Sequence, residues 1–403
     1  MDTTMTAITT TAGIPPDQNT VSRGLTFVLA LACGLIAANI YYAQPLIGPI
    51  SAALGLSLHA AGLIVTMTQI GYGAGLLLIV PLGDLIENRR LICAEIGVAG
   101  LALLAAACST HALPFLIAAL FIGLGSVAVQ TILPYAAHLA PEAARGRVIG
   151  NVATGLMLGI MLARPIASLL TATSSWQTVF FLSATAMMGL AIVLSQALPK
   201  RAPVAQLRYG ELLASMLRLV LATRVLRRRA LYQAFLFAAF SLFWTVTPLL
   251  LAGPEFGLSQ RGIGLFALAG VAGAIAAPIA GRVADRGWSR AATAFAMLAV
   301  ATAFLITHIG HPGSPLALAL LIVAGVLLDF GVQGNFVLGS RAIFALGPEF
   351  RSRLNGLYMA TFFAAGAAGS ALGGWAFAHG GWPLASWIGF ALPVGALFYL
   401  ATE

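Results

Sequence analysis

Charge is what this chain has least of. Only 8% of its 403 residues are Asp, Glu, Lys or Arg, and the mean hydropathy is +0.96. A soluble fold of this size needs about a quarter of its residues charged to keep its surface wet, so a soluble enzyme is excluded. Cysteine is nearly as scarce. Cys33, Cys93 and Cys108 lie inside apolar stretches and lack paired ligand spacing, so neither a disulfide framework nor a cysteine zinc site is indicated. Ten-residue segments of alternating hydrophobicity are missing, so a membrane β-barrel is not expected. No phosphate-binding glycine loop or Ser-His-Asp set is present, and neither cofactor, metal nor enzymatic chemistry is expected.

What is present is apolar helix. A spanning helix takes about 20 apolar residues, and twelve such segments are separated by Gly, Pro or charge clusters, the first over 24–50. The sequence thus predicts an all-α membrane protein of twelve spans. Residues 1–22 are Thr-rich, with no basic leader and no small-residue cleavage site, and are expected to form a cytoplasmic tail. The net charge of +9 rests on arginine, since Lys200 is the one lysine. In a soluble protein such an excess would suggest nucleic acid; here it sorts by side of the membrane. With the amino terminus inside, Arg23, Arg89, Arg90, Arg145, Arg147, the eight basic residues from Lys200 to Arg229, and then Arg282, Arg286, Arg290, Arg341, Arg351 and Arg353 are all cytoplasmic, against Arg261 outside. Both termini are then cytoplasmic.

Two echoes divide the chain. PEAARGRVIG from Pro141 returns as PEFRSRLNG from Pro348, and PLGDLIENRR from Pro81 returns as GRVADRGWSR from Gly281. Each pair lies about two hundred residues apart, as expected for two parallel six-span repeats. The expected organisation is a six-helix bundle over 23–199, a basic linker over 200–229 and a second bundle over 230–403. Within the linker, Leu212, Leu213, Met216, Leu217 and Val220 have helical spacing beside Arg208, Arg218 and Arg224. That pattern suits either a helix on the anionic inner leaflet or a solvated tether.

The turn carrying Asp285, Arg286, Gly287 and Arg290, with Asp84, Arg89 and Arg90 as a weaker first copy, resembles the signature of the major facilitator superfamily, and the resemblance covers 23–403. NIYYAQPL from Asn39, GIMLARP from Gly159 and the stretch from Leu327 to Met359 resemble its bacterial sugar- and drug-efflux branch. The resemblance implies two pseudo-symmetric bundles in the bacterial inner membrane and a central cavity lined by spans 1, 4, 7 and 10. It also implies inner-face ion pairs among Asp84, Arg89, Arg90, Glu142, Arg145, Asp285, Arg286, Arg290, Glu349 and Arg353 that hold an outward-open state. The chain departs from the antiporter pattern in span 4, where AALFIGLG has no arginine, and in span 5, where Arg164-Pro165 stands for Gly-Pro.

Asp329 reads as the one acid deep in a span, roughly 20 Å below the outer surface at the helical rise. A carboxylate at that depth is costly and is a functional candidate by default. Burial disfavours the ionised form and a neighbouring cation favours it, so an acid alternating between such settings can load and release a proton. Arg164 keeps its charge and needs water, a carboxylate, or an anionic or polyhydroxyl substrate, unless it snorkels to the outer surface. Asn39, Tyr41, Tyr42, Gln44, Gln130, Gln233, Trp244 and Gln333 complete the expected pocket, Asn39 and Tyr42 by sharing a helix face. Glu95 is expected to pair with Arg89 or Arg90. The glycines of spans 2, 5, 8 and 11 are expected at contacts between the bundles, where packing and motion are alternative roles. The expected function is proton-coupled export of a small polar or amphipathic molecule by a monomer. Uptake by symport, and a non-transporting ligand sensor, remain alternatives.

Overall fold

The computed structural model describes residues 22–201, 208–347 and 351–403, all described structure being helical or irregular. Glu349, most of the expected tail and part of the linker lie outside these residues.

The first span is helix α1 (Arg23–Ala38), begun by Ser22, whose side chain accepts a hydrogen bond from the Leu25 amide at 3.0 Å. The helix stops before the expected end at 50. Residues 39–43 form a turn, a single 3-10 turn covers Gln44–Leu46, and α2 (Ile47–Leu54) follows. Pro45 has no amide hydrogen to donate, which favours interruption here. Spans 2 and 3 are α3 (Leu63–Leu78) and α4 (Asn88–Ala107). Span 4 is split into α5 (Ala112–Gly125) and α6 (Ala128–Leu139) at Ser126, whose hydroxyl donates back to Ile122 O at 2.6 Å. Spans 5 and 6 are α7 (Glu142–Thr173) and α8 (Trp176–Ala197).

The linker holds α9 (Tyr209–Ala222). It is no solvated tether. Leu212 and Met216 are buried, Tyr209 Oη donates to Leu78 O at 2.8 Å, and Arg353 Nη1 donates to Ser215 Oγ at 3.3 Å. The helix thus bridges the ends of spans 2 and 11. Span 7, α10 (Arg224–Ala252), begins inside the expected linker.

Span 8 is α11 (Gln260–Ala267) and α12 (Ala276–Asp285) joined by a 3-10 stretch over Leu268–Ile275. Such backbone at membrane depth is tolerated where protein covers it. Spans 9 and 10 are α13 (Ser289–Ile306) and α14 (Pro315–Phe344), the latter begun by the Ser314 cap and Pro315. The last two spans form α15 (Arg351–Ala401), kinked at Gly380 and Gly381. Gly381 has φ 61°, a conformation glycine adopts without a side-chain penalty. Among the described residues ten helical stretches are long and apolar enough to cross a membrane; α15 is kinked into two, and the shorter apolar α1 leads on into α2, giving twelve spans in two bundles of six.

Most of the glycines expected between the bundles instead seal helices within one bundle. Gly155 and Gly159 of α7 press on the α1 backbone at Ala30 and Gly34, Gly71 on Leu120, and Gly369 on Ala238. Contacts across the bundles are made elsewhere. Ser370 Oγ donates to Gly62 O at 3.0 Å, Thr66 Oγ1 to Ala367 O at 3.1 Å, Gln69 Nε2 to Ser241 Oγ at 2.8 Å and Ser168 Oγ to Gln260 O at 2.7 Å. Gly62, Thr66, Ser168, Gln260 and Ser370 lie toward the face opposite the basic loops, so the bundles are closed together there.

Candidate functional site

Asp329 is the fifteenth of thirty residues in α14, and only 5% of its surface is exposed. Its carboxylate needs room that the α11–α12 break provides. A β-carbon on Gly270 would stand 2.8 Å from Asp329 Oδ2, and one on Gly273 would stand 2.7 Å from Asp329 Cβ. Glycine at both positions is therefore a steric requirement of the acid, rather than of motion between bundles. From α10, Trp244 Nε1 donates to Asp329 Oδ1 at 2.8 Å.

The face of that indole holds the cation. The Arg164 guanidinium carbon lies 4.4 Å from the Trp244 ring centroid, 5.0 Å from that of Phe240 and 5.1 Å from that of Tyr41. A ring presents negative charge on its face and positive charge at its edge, so one tryptophan stabilises the cation above it and the anion at its N–H. Arg164 is 3% exposed, which rules out snorkelling. Its Nε donates to Gln44 Oε1 at 2.6 Å, and its Nη1 lies 3.4 Å from the position of a Gly270 β-carbon. Arg164 and Asp329 therefore border one small volume, although the sequence places them at different depths. Among the described residues no ion pair within 4.0 Å joins them. Arg164 Nη2 and Gln44 Nε2 are buried without a hydrogen-bond partner, each costing about 1–3 kcal/mol if left so.

The structure thus gathers Tyr41, Gln44, Arg164, Trp244 and Asp329 into one cluster and adds Phe240. Phe240 was hidden in a long apolar run; its signal is its position one turn before Trp244 on the same helix face. The other expected pocket residues lie apart. Asn39 falls in the turn after α1, where its Oδ1 accepts from Ser183 Oγ of span 6 at 2.6 Å, so it shares no helix face with Tyr42. Tyr42 packs half-buried against apolar neighbours. Gln130 donates to Tyr72 Oη at 3.1 Å and accepts from Asn355 at 3.3 Å, a link across the bundles. Gln233 accepts from Asn335 Nδ2 at 2.7 Å and donates to Val332 O at 3.4 Å. Gln333 is half-buried and makes no side-chain hydrogen bond among the described residues.

The charged residues of the basic face make three ion pairs among those described, all within a bundle. Arg90 Nε lies 3.3 Å and Arg89 Nε 3.9 Å from Glu87, the acid between the expected Asp84 and its arginines. Asp285 pairs with Arg341 of span 10 in place of Arg286 or Arg290. Asp84 and Glu142 have no ion-pair partner among the described residues, Arg145 donates to Ala137 O at 3.1 Å, and Arg353 reaches Ser215. Glu95 meets neither Arg89 nor Arg90. It is a second buried acid, 3% exposed, accepting from Thr131 Oγ1 of span 4 at 3.2 Å.

The chain is 40% identical over 362 residues to the uncharacterized transporter YgaY of Escherichia coli O157:H7, an alignment that spans 90% of this chain and 91% of that one. It is 33% identical over 365 residues to a probable transporter of Streptomyces coelicolor, spanning 88% and 82%. The crystal structure of the nucleoside transporter NupG superposes with a TM-score of 0.75, covering 94% of this chain and 99% of that one at 12% identity, a likeness of fold alone. A family model described as the Major Facilitator Superfamily matches residues 29–326. The twelve-span chain is a membrane transporter that belongs to the Major Facilitator Superfamily.

Proposed function

We propose that the protein is a proton-coupled exporter of a small polar or amphipathic molecule, working by alternating access, with Asp329 as the coupling acid. One observation carries the reading: an acid near the middle of span 10 bonded to a neutral indole N–H, with a cation held over the face of the same ring. Trp244 occupies one carboxylate oxygen, and Oδ2 makes no hydrogen bond to protein among the described residues. A proton can be taken on Oδ2 without breaking the bond on Oδ1. A direct ion pair with Arg164 would instead hold the acid in its charged form. Loading at Asp329 changes the charge beside Arg164, so proton and substrate are coupled through a shared local field.

The positive-inside asymmetry orients both termini and the basic face toward the cytoplasm, in a bacterial inner membrane. With that orientation the bundles are closed to the outside. The absence of ion pairs across the bundles, among the described residues of the inner face, accords with a gate whose bonds form when the outside opens. Resemblance to the sugar- and drug-efflux branch supports export as the direction.

Everted membrane vesicles energised by respiration test this. Adding substrate from a panel of sugars, antibiotics and chelators collapses the pH gradient in vesicles holding the wild-type protein and leaves it unchanged with Asp329→Asn. Equal collapse by the variant rejects Asp329 as the coupling acid.

A further inference from the structure

We infer that Arg164 Nη2 and Gln44 Nε2 form a receptor for a carboxylate, and that the transported molecule is a small organic anion. This rests on the transport reading above and adds the chemical class of its substrate.

The two atoms are buried donors without partners, on groups already joined by the 2.6 Å bond from Arg164 Nε to Gln44 Oε1. That bond fixes the amide orientation: Nε is a donor, so the Gln44 atom facing it is oxygen and the outlying atom is the NH2 group. Nε and Nη2 form the side edge of a guanidinium, a fork that fits two oxygens of one planar acid. Gln44 fills one prong with a single neutral oxygen and leaves the other free. The free positions at this end are thus N–H donors flanking one short hydrogen bond.

A ligand that meets them must bring acceptors. A neutral hydroxyl could accept there, but it would bring no charge to meet the cation. A carboxylate brings lone pairs and no proton. Charge points the same way. Arg164 carries a full positive charge, 3% exposed, with no acid within 4.0 Å among the described residues. Three ring faces surround the guanidinium carbon, and Nη2 still lacks a hydrogen-bond partner. Arg164 and Gln44 belong to the first bundle, whereas Phe240, Trp244 and Asp329 belong to the second. An anion held here sits where the bundles meet, beside the acid that carries the proton.

The test uses purified full-length protein, with binding read by tryptophan fluorescence and thermal shift. Benzoate, indole-3-acetate and citrate are compared with benzamide, indole-3-acetamide and benzylamine. At least one carboxylate should bind ten-fold or more tightly than its uncharged or cationic counterparts. Arg164→Lys, which keeps the charge and loses the fork, should weaken that binding ten-fold or more, and Gln44→Ala several-fold. Both variants should elute as monodisperse protein, so that a loss of binding is separable from misfolding; if one does not, the other decides. Binding by none of the carboxylates, equal binding of the amides, or full affinity in either variant overturns the inference. The transport reading fails separately. Arg164-dependent carboxylate binding with no collapse of the vesicle pH gradient leaves the receptor standing and removes coupling. Gradient collapse by an uncharged substrate that persists in Arg164→Gln does the reverse.

Discussion

Arg164 and Asp329 share one indole in place of a salt bridge: the guanidinium lies 4.4 Å from the Trp244 ring centroid while the carboxylate accepts its N–H at 2.8 Å. A direct pair at this depth would be self-satisfied and inert, because two desolvated opposite charges in contact hold each other. The ring keeps them within each other's field and leaves an edge of each free. The cation can therefore take a substrate anion while the acid takes a proton.

Trp244→Phe tests the indole as a donor. It keeps a ring beneath Arg164 and removes the N–H, a hydrogen bond to a charged group worth about 1.5–3 kcal/mol. Substrate-driven collapse of the vesicle pH gradient should slow roughly ten-fold or more, since about 1.4 kcal/mol is a factor of ten. An unchanged rate would make the bond a bystander.

Gly270→Ala and Gly273→Ala should each disturb Asp329, as both β-carbons would approach it within 3 Å. Overpacking of this kind costs about 1–3 kcal/mol. The thermal midpoint of the purified variants should fall, and Asp329→Ala in the same chain should restore most of the loss for Gly270→Ala. Additive losses would show that the glycines serve something other than the acid.

The α1–α7 crossing should be intolerant in the same way. A β-carbon on Gly159 would run into the Gly34 backbone, which cannot rotate aside, whereas one on Gly146 of the same helix meets nothing within 4 Å. Gly159→Ala should lower thermal stability markedly, and Gly146→Ala should leave it unchanged or raise it by up to about 1 kcal/mol through helix propensity. Similar melting of the two would contradict a backbone-to-backbone contact at Gly159.

Glu95 separates a structural acid from a coupling one. Glu95→Gln preserves its shape and the Thr131 hydrogen bond and should retain gradient-driven export within a few-fold. Glu95→Ala should destabilise by about 2–5 kcal/mol by opening a cavity and stranding Thr131. Loss of coupling in Glu95→Gln would mean that Asp329 is not alone in carrying protons.

The bundle architecture was legible because membrane solvation forces it: apolar runs of spanning length, and arginine confined to alternate loops, leave few other folds. Asp329, Arg164, Trp244, Tyr41 and Gln44 were legible as polar or amphipathic residues at a depth where such groups are expensive. What linear position could not give was partnership. Helical rise set Arg164 and Asp329 at different depths because it ignores tilt and the break between α11 and α12, and it carried α1 past Ala38 through Asn39 because the turn there depends on packing. Glu95 looked like a surface partner for Arg89, yet α4 starts only at Asn88 and turns Glu95 inward onto Thr131. Glycine pairs advertised close contact without saying with which helix.

The most direct test of the central claim is the change in bound protons on substrate binding, measured in weakly buffered solution with purified protein and no membrane gradient. Wild-type protein should exchange protons with the solution as substrate binds, and Asp329→Asn should bind substrate without exchanging them. Equal proton exchange by the two proteins would contradict the account.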